Sequence, residues 1–302
     1  MDFEITKDGN NTNIKYGESS ATCFMENTPK DKNGTLVGCI GNVEFKNTQE
    51  GKAILVKCEE IFKDAGFKKI VGPMNGNTWK KYRVLKQSEN IPGFVLENVN
   101  LITDNEIFLS AGFSVEYEYT STLGKVADAY DSEVLDMIEE QIEEEGIVLR
   151  NFRKDSAIED LRKIYNVSRE SFSRNPYYTD IDEENFIGQY TPYIDMVDES
   201  LIMIAEKEGK EVAFVFCIPN LAEMQRGEKI HTLILKTIAV LPEYEDLGIG
   251  NVMLRKIAKV AKEKGFEDWI FAFMFKENTS QKMAARNNSH IIREYVLYCK
   301  EI

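Results

Sequence analysis

The sequence predicts a mixed α/β fold in which two related units follow each other along the chain. The first indication is a strand, a glycine loop and a helix in direct succession over Ile230–Gly265. The second is that both halves of the chain finish with a strand, a helix, a strand, a short helix and a strand, although no repeat is visible in the letters. Segments that switch between a strand period and a helix period are typical of a sheet covered by helices.

The strand and helix of this central stretch are predicted from their apolar patterns. A buried strand is predicted because six residues are apolar and largely branched: Leu233, Ile234, Leu235, Ile238, Ala239 and Val240. Pro242 ends the pairing because proline has no N–H to donate. From Ile249 onward the apolar residues recur at helical spacing, which predicts an amphipathic helix. Gly265 supplies the stop at its C-terminus.

The first half of the chain is predicted to be a compact α/β unit. Glycine ends its main helix, and its last strand alternates polar and apolar residues, as a half-buried strand does. The elements predicted there are strands at Ala21–Met25, Thr35–Phe45, Lys68–Met74 and Phe113–Thr120, a helix at Gln49–Ala65, and one or two helical turns at Thr78–Leu85.

The junction between the two units is predicted to be an acidic helix. Asp131–Glu145 has apolar residues on one face and glutamates on the other, a charge run that usually marks a solvated helix side. We therefore divide the chain into a first unit at residues 1–123, an acidic helical linker at 124–145 and a second unit at 146–302.

The second unit has a more regular pattern than the first. Its long helical stretch is expected to break near Thr191-Pro192, because proline cannot continue a helix. Besides the central stretch, the predicted elements are helices at Ala157–Phe172, Asp182–Met196 and Thr279–Asn287, and strands at Ile147–Phe152, Leu201–Glu206, Val212–Ile218, Asp268–Phe275 and Ile291–Lys300.

Composition excludes several classes of function. A net charge of −14 and a pI near 4.9 leave no basic footprint for nucleic acid, although an acidic protein can attract amines. The five cysteines are never in CxxC spacing, which argues against a metal site or a disulfide framework and favours reduced thiols in a cytoplasm. No apolar run approaches the roughly 20 residues of a membrane span. The polar N-terminus does not resemble a secretory signal.

The glycine loop, with Gly248 and Gly250, is placed where a helix begins and its amides lack partners. Such a site is suited to a phosphate. A Walker loop is excluded because Asn251 and Val252 follow in place of Lys and Ser/Thr. A Rossmann fingerprint is excluded because only two glycines occur, late in the chain. The remaining pattern is x-x-Gly-x-Gly after a strand that ends in Val-x-Pro.

On these residues the sequence resembles the GNAT superfamily of N-acetyltransferases. The matching segments are Thr237–Pro242, Glu245–Gly250 and the helix that follows, and the order of elements over residues 146–302 also fits. The resemblance implies acetyl-CoA as the donor. The positions that it implies for the donor's pantetheine and pyrophosphate are Ile238, Ala239, Val240, Leu247, Gly248, Ile249, Gly250 and Asn251, with Asn278 where many members have an asparagine. The first unit resembles a shortened copy without a Gly-x-Gly before its helix, and so a degenerate, non-catalytic unit.

The sequence departs from the superfamily at three functional positions. Glu245 opens the loop where Gln or Arg is common, which places a carboxylate near the expected pyrophosphate. Ile234 stands where many members have a glutamate base, and Ala285 where many have a tyrosine acid. The remaining candidates for a catalytic side chain are Tyr295 and Tyr298, which lie on opposite sides of the last strand and for which ordinary packing is the stronger interpretation.

The acceptor side gives fewer signals. Asp180 and Asp182–Glu184 are candidates for recruiting a cationic acceptor, although acidic first turns are also common for dipole reasons. Together these observations predict an acetyl-CoA-dependent N-acetyltransferase that acts on a primary amine of a small molecule or peptide by direct attack. The alternative is a non-catalytic acyl-CoA-binding sensor or scaffold. No nucleic-acid partner, membrane or metal is expected, and an oligomer is compatible with the sequence.

Overall fold

The computed structural model of the protein describes residues 2–97 and 102–302 as one mixed sheet flanked by helices. Within these residues the sheet has 13 strands in the order β1-β2-β3-β4-β5-β13-β7-β12-β11-β10-β9-β8, and β6 pairs with β13 off this path. The strands are β1 (Glu4–Asp8), β2 (Asn11–Tyr16), β3 (Ser19–Phe24), β4 (Gly38–Glu44), β5 (Lys69–Gly72), β6 (Val84–Ser88), β7 (Ser114–Lys125), β8 (Ile147–Asn151), β9 (Ile202–Lys207), β10 (Lys210–Pro219), β11 (Thr232–Val240), β12 (Asp268–Phe275) and β13 (His290–Glu301). The helices are α1 (Thr48–Asp64), α2 (Asp104–Ser110), α3 (Glu133–Glu144), α4 (Ala157–Phe172), α5 (Glu183–Tyr190), α6 (Leu221–Gln225), α7 (Ile249–Glu263) and α8 (Ser280–Arg286).

The two halves of the chain exchange their last strands. β13, from the second half, lies between β5 and β7 of the first half, while β7 lies between β13 and β12. Both exchanged strands pair antiparallel with each neighbour, whereas the flanking pairs β4–β5 and β11–β12 are parallel. The arrangement is therefore nearly symmetric about the contact between β7 and β13. The unit boundary predicted after residue 123 falls inside β7, so each unit is completed by a strand of the other.

Each half has its own hydrophobic core. In the first half, α1 and α2 bury Ile54, Phe62 and Phe108 against the sheet, and Val296 of the exchanged β13 belongs to the same cluster. In the second half, α7 covers one face of the sheet and α4 the other. The amphipathic stripes that the sequence predicts for Ala157–Phe172 and for the helix from Ile249 face these cores.

The acidic helix α3 lies within the predicted Asp131–Glu145, and it packs its apolar face on the second unit. Leu135 and Ile142 of α3 are buried in the core beneath α7. Arg255 of α7, which is 4% exposed, pairs with Glu139 and with two aspartates near the start of α3. A buried guanidinium requires such compensation. Part of the predicted solvated face is therefore fixed to the second unit by charge.

Most predicted elements are present, and the errors lie in polar or short segments. Helix α4 begins and ends at the predicted residues, and α5 gives way to a 3₁₀ turn at Thr191–Met196, as the proline predicts. Thr78–Leu85 is not helical: Met74 bridges to Tyr82 and the chain then enters β6. The strands β1 and β2 and the helices α2 and α6 were not predicted. None of the helices described is both long and apolar enough to cross a membrane.

The strand exchange predicts that the second half does not fold alone. A fragment of residues 146–302 lacks β7, so the facing edges of β12 and β13 lose their shared partner and become sites for aggregation. We expect this fragment to show no cooperative unfolding by near-ultraviolet circular dichroism. Co-expression with residues 1–145 should restore a one-to-one complex on size exclusion. A folded monomer of residues 146–302 would contradict the dependence on β7.

The Asp160 carboxylate predicts a pH-dependent anchor for α4. Asp160 is fully buried and accepts two hydrogen bonds of 2.8 Å from Arg150 and others from Arg153. Burial alone would raise the pKa of Asp160, but the hydrogen bonds from Arg153 and Arg150 outweigh it and lower the pKa. The stabilisation is therefore present above the unfolded pKa of about 3.9 and is lost as pH falls through the folded value.

Asp160→Asn should lower the free energy of unfolding in urea by about 2 kcal/mol at neutral pH, because charge-assisted hydrogen bonds are lost. The difference from wild type should vanish in acid, below the folded pKa. Exposed Asp155→Asn is the control and should change stability by less than about 0.5 kcal/mol. An effect of equal size in acid would show that packing, not charge, is responsible.

Candidate functional site

The parallel strands β11 and β12 separate halfway along their length. Their register runs from Thr232↔Asp268 to Leu235↔Phe271 and then stops, although β11 continues to Val240 and β12 to Phe275. The far edge of β12 stays paired with β7, and the far edge of β11 stays paired with β10. The result is a V-shaped opening between the two strands, which we call the V.

Irregular pairing on both sides accompanies this separation. On β11, Phe216↔Thr237 is followed by Cys217↔Leu235, so Lys236 is the extra residue of a β-bulge. On β12, the pairing with β7 shifts between Phe271 and Met274. Bulges bend a strand and re-aim its side chains, and they are common beside active sites.

The edge of β11 that faces the V carries unpaired backbone groups. Leu241 donates its N–H to Val212 of β10 at 2.8 Å. Because the direction of backbone groups alternates along a strand, the N–H groups of Ile238 and Val240 point to the opposite edge, into the V. The carbonyl of Val240 accepts a hydrogen bond from Ser171 of α4 at 2.9 Å, which is consistent with that direction. The V thus presents two amides where β12 has moved away.

The N-terminus of α7 lies at the end of the V and has no side-chain cap. A 3₁₀ turn at Pro242–Leu247 leads to Gly248, whose φ of +75° lies in the left-handed region that favours glycine. The first hydrogen bond joins Asn251 N–H to Gly248 O at 3.0 Å, so the amides of Ile249 and Gly250 precede it. Ile249 and Gly250 are buried residues. Amides that precede the first helical hydrogen bond, together with the positive end of the helix dipole, are suited to bind an anion.

The structure brings the predicted loop and strand residues together. A Cβ on Gly250 would lie 3.3 Å from Ile238 Cδ1, 3.7 Å from Val240 Cγ2 and 3.2 Å from Met283 Cε of α8. On the other side of the loop, Ile138 of α3 comes within 3.2 Å of a Cβ position on Gly248. A methyl group at either glycine would press on the ends of these side chains, so glycine favours the close approach. Sequence analysis did not identify Met283 or Ile138 as neighbours of the loop, because each belongs to a separate helix.

The loop carboxylate Glu245 is compensated. It forms an ion pair with Arg174, and both side chains are about half exposed. The sequence predicts a charge that opposes a phosphate at this position. In the structure Arg174 pairs with that carboxylate, so the net charge beside the loop is less negative than the loop sequence alone indicates.

The equivalent opening in the first half is closed by the chain itself. β4 and β5 pair only at Gly38↔Ile70 and Cys39↔Val71, but the following residues fill the gap. Met74 N–H donates to Ile40 O at 2.7 Å, and Asn42 N–H donates to Asn75 Oδ1 at 2.8 Å. A second ligand therefore has no free strand edge at this point.

The N-terminus of α1 in the first half is occupied as well. Asn47 caps α1 by accepting from Glu50 N–H at 2.9 Å, and the carboxylate of Glu50 accepts from Ser19 at 2.8 Å. A carboxylate that is held at this helix end opposes an anion, whereas α7 begins with glycine. This contrast supports the prediction that the first unit is degenerate.

Tyr298 does not lie at the V, which corrects its candidacy as a catalytic residue. Its ring stacks on Phe108 with centroids 5.3 Å apart, and its hydroxyl donates to Asn105 at 2.9 Å. It is 2% exposed, in the core of the first half, because β13 is exchanged. Burial raises its pKa.

Tyr295 lies nearer to the V, but its hydroxyl is occupied. Its ring is 5.3 Å from that of Phe273 on β12, and its hydroxyl donates to Glu97 at 2.6 Å. Burial, and then the charge of Glu97, raise its pKa far above the usual value. Tyr295 and Tyr298 belong to different clusters, as their predicted opposite orientations require.

The acidic residues that precede α5 are engaged in local contacts. Asp180 pairs with Arg169 at 2.9 Å, and Glu183 pairs with Arg162 at 2.7 Å. Asp182 caps α5 by accepting from the N–H of Asn185 at 2.8 Å. The hypothesis that this cluster recruits a cationic acceptor therefore loses its support. Burial, and then the charge of Asp180, raise the pKa of Tyr178 to about 12, so this phenol stays protonated near neutral pH.

The first half contributes to the face of the V opposite α7. Phe94 is buried against Ile234 and Ile270, at the level where the strands separate. Trp79 donates its indole N–H to Thr179 O at 2.7 Å and packs edge-on to Phe186 at 5.8 Å. These contacts join two loops of the first half to the second half. Sequence analysis missed them because they connect residues that lie about a hundred or more positions apart.

The remaining predicted residues lie around the site in different ways. Asn278 is exposed where β12 leads into α8, and its Oδ1 accepts from Thr279 at 3.1 Å. His231 immediately precedes β11, at the end away from the V. The five cysteines are all buried and form no disulfide. Burial raises the pKa of Cys217, as expected for an unreactive thiol.

Comparisons with known proteins agree with this geometry. Residues 158–287, which include the V and the start of α7, match the model of the acetyltransferase (GNAT) family. No curated protein matches the chain. A GCN5-related N-acetyltransferase from Sphaerobacter thermophilus is similar in structure, with a TM-score of 0.56 and 13% identity over 96% of this chain and 80% of that one.

A tandem GNAT protein from the clavulanic acid biosynthesis pathway, solved without AcCoA, is also similar in structure. It has a TM-score of 0.53 and 9% identity over 96% of this chain and 82% of that chain. A GCN5-related N-acetyltransferase from Anabaena variabilis has a TM-score of 0.53 and 8% identity over 97% of this chain and 62% of that one. At these identities the similarity shows the fold. The predicted fold class and the predicted resemblance are confirmed.

Proposed function

We propose that this chain is an N-acetyltransferase that transfers an acetyl group from acetyl-CoA to a primary amine of a small molecule or peptide. The family of residues 158–287 supports acyl-CoA-dependent N-acyl transfer in general. The observation that carries the proposal is the V, which opens between β11 and β12 and ends at the uncapped, glycine-led start of α7.

The proposed donor site uses backbone groups almost entirely. The pyrophosphate would contact the amides of Leu247–Asn251, where the helix dipole is positive. The pantetheine arm would take the place of the missing β12 pairing and bond to Ile238–Val240, much as a strand adds to an open edge. Asn278, exposed at the end of β12, completes the proposed donor set. Each of these contacts remains a prediction for this chain.

The proposed reaction depends mainly on backbone groups and on substrate positioning, and it needs few catalytic side chains. The neutral amine attacks the thioester carbonyl carbon, the C–N bond forms, and the C–S bond breaks to release the coenzyme A thiolate. The amine nitrogen loses one proton, which reaches the thiolate directly or through solvent. Negative charge on the carbonyl oxygen would be stabilised by the N–H of Val240, which points into the V. Holding both substrates in one complex supplies much of the remaining acceleration.

No described side chain at the usual superfamily positions can remove the amine proton. Ile234 is fully buried beneath Phe94, and Ala285 has no acidic group. We therefore propose that the free-base form of the acceptor is the reactive form and that water carries the proton away. Without a protein base, the reaction rate is proportional to the fraction of the acceptor amine that is neutral. The pKa of a lysine-like amine is about 10.4, so this fraction is small at neutral pH.

The second candidate is a non-catalytic acyl-CoA sensor or scaffold. Ile234 and Ala285 favour it specifically, because a protein that only binds the donor needs the glycine loop and not the acid and base. The two functions share the same donor site and differ in turnover. An acetyl transfer assay therefore separates them.

Gly250→Asp should abolish acetyl-CoA binding, measured by calorimetry. The substitution adds a negative charge at the start of α7, among Ile238, Val240 and Met283 and beside the amides proposed for the phosphate, and we expect affinity to fall by at least about 100-fold. Gly250→Ala is the matched control: its methyl group meets the flexible end of Met283, so the loss should be about tenfold or less. Wild type should bind one molecule per chain, because the first half is closed. Unchanged affinity in Gly250→Asp would refute the proposed loop contact.

Turnover should be detected as thiol release when acetyl-CoA is offered with a panel of primary amines. Without a protein base, kcat/KM should rise about tenfold per pH unit until the acceptor's own pKa. A plateau well below that pKa would reveal a base in the protein and contradict the water-relayed route. Binding of acetyl-CoA without turnover of any amine would favour the sensor instead.

A further inference from the structure

Lys236 occupies a special position in the V. It is the extra residue of the β11 bulge and follows Leu235, the last residue that pairs with β12. Its side chain lies on the face of the sheet that α4 and α5 cover, because it contacts Tyr190 of α5 and Phe216 of β10. Lys236 therefore stands where the V opens, on the side opposite α7 and the proposed pyrophosphate site.

The ammonium group of Lys236 is held without a carboxylate. Its Nζ donates to the hydroxyl of Tyr190 at 2.9 Å, and it lies 5.0 Å from the ring centroid of Tyr190 and 5.4 Å from that of Phe216. Among the described residues it forms no ion pair, although the chain has 51 acidic residues against 37 basic ones. An ammonium group has three donors, and one of them is used here.

Three carboxylates of the segments around α5 and the glycine loop are already in ion pairs. Asp180, Glu183 and Glu245 each pair with an arginine of their own. Lys236 is only partly buried, so its side chain keeps some exposure to solvent. Tyr190 and Phe216 fix its direction at little cost, since two aromatic faces attract a cation. The ammonium is thus positioned in advance and retains hydrogen-bonding capacity.

We propose that Lys236 is a specificity-determining residue that binds a carboxylate of the acceptor, so that the preferred substrates are amines that also carry a carboxylate. This rests on the proposed function, since it concerns the acceptor of the same reaction. A single lysine matches the single negative charge of a carboxylate. The bond is charge-assisted and directional, and it turns the acceptor so that its amine faces the thioester.

The test compares wild type with Lys236→Met on matched acceptors: amino acids and their carboxamides, which differ in the negative charge. For each acceptor, kcat/KM of the variant is divided by kcat/KM of wild type. Because an amino acid and its carboxamide differ in the pKa of their amines, this ratio removes that difference from the comparison. We expect Lys236→Met to lower kcat/KM for carboxylate acceptors by about 10- to 100-fold, mainly through KM, and to change the carboxamides less than about threefold. Methionine keeps the length and the apolar packing of the stem.

Two controls separate recognition from stability. Lys236→Arg restores the charge and should recover part of the lost activity on carboxylate acceptors, whereas Lys52→Met, at an exposed site on α1, should change neither class. Acetyl-CoA affinity by calorimetry should be unchanged in all three variants. A purely structural role of Lys236 would lower both acceptor classes together, and that result would overturn the proposal.

The outcomes also distinguish this proposal from the one on which it rests. Turnover of amines with no selective loss in Lys236→Met refutes the role of Lys236 and leaves the acetyltransferase intact. Acetyl-CoA binding with no turnover of any amine, charged or uncharged, refutes the acetyltransferase and the role of Lys236 with it.

Discussion

The pairing of β7 with β13 is the constraint on which the rest of the molecule depends. These two strands pair at the centre of the sheet, in a register that runs from His290↔Leu123 to Cys299↔Ser114. On its other edge each strand pairs with a strand of the opposite half, β7 with β12 and β13 with β5. The relative position of the halves is therefore set by a ladder of backbone hydrogen bonds, not by side-chain contact alone. As a consequence, Phe94 and Trp79 of the first half are held at a fixed place beside the V.

The two halves show how one architecture can keep or lose a ligand site. Buried backbone groups need partners, and a strand that separates from its neighbour leaves such groups without one. In the first half, Met74 and Asn75 turn back and supply those partners, and Asn47 caps the helix. In the second half, the groups of Ile238 and Val240 remain at an open edge. The same divergence of parallel strands thus gives a closed structural unit in one case and a strand edge without a β-partner in the other.

Local patterns were predictable from the sequence, and long-range pairing was not. The strand at Leu233–Val240 and the helix after it are specified by residues close together in the chain, so their place beside the glycine loop followed directly. The strand character of Phe113–Thr120 was also visible, but nothing in its letters says that it pairs with β12 and β13. That omission explains the error at Tyr298: its strand was correct, while the exchange moved its side chain into the other core. In the sequence, Lys236 was a single charged residue in an apolar strand. Its proposed role depends on the β-bulge, which is visible only in the pairing of β11 with β10.

The electrostatics of the V show why net charge is a poor guide to the acceptor. A chain with a net charge of −14 suggests attraction for cations, yet exposed charges are screened beyond about 8 Å at physiological salt. Local charge therefore matters more than the total, and the carboxylates of Asp180, Glu183 and Glu245 each pair with an arginine. The ammonium of Lys236 has a phenol and two rings instead. Acyl transfer consumes a neutral amine. A site that binds the acceptor through the acceptor's own carboxylate therefore does not stabilise the protonated, unreactive form of its amine. A cation beside the thioester is therefore compatible with amine chemistry, and an acidic cluster at the same place would oppose it.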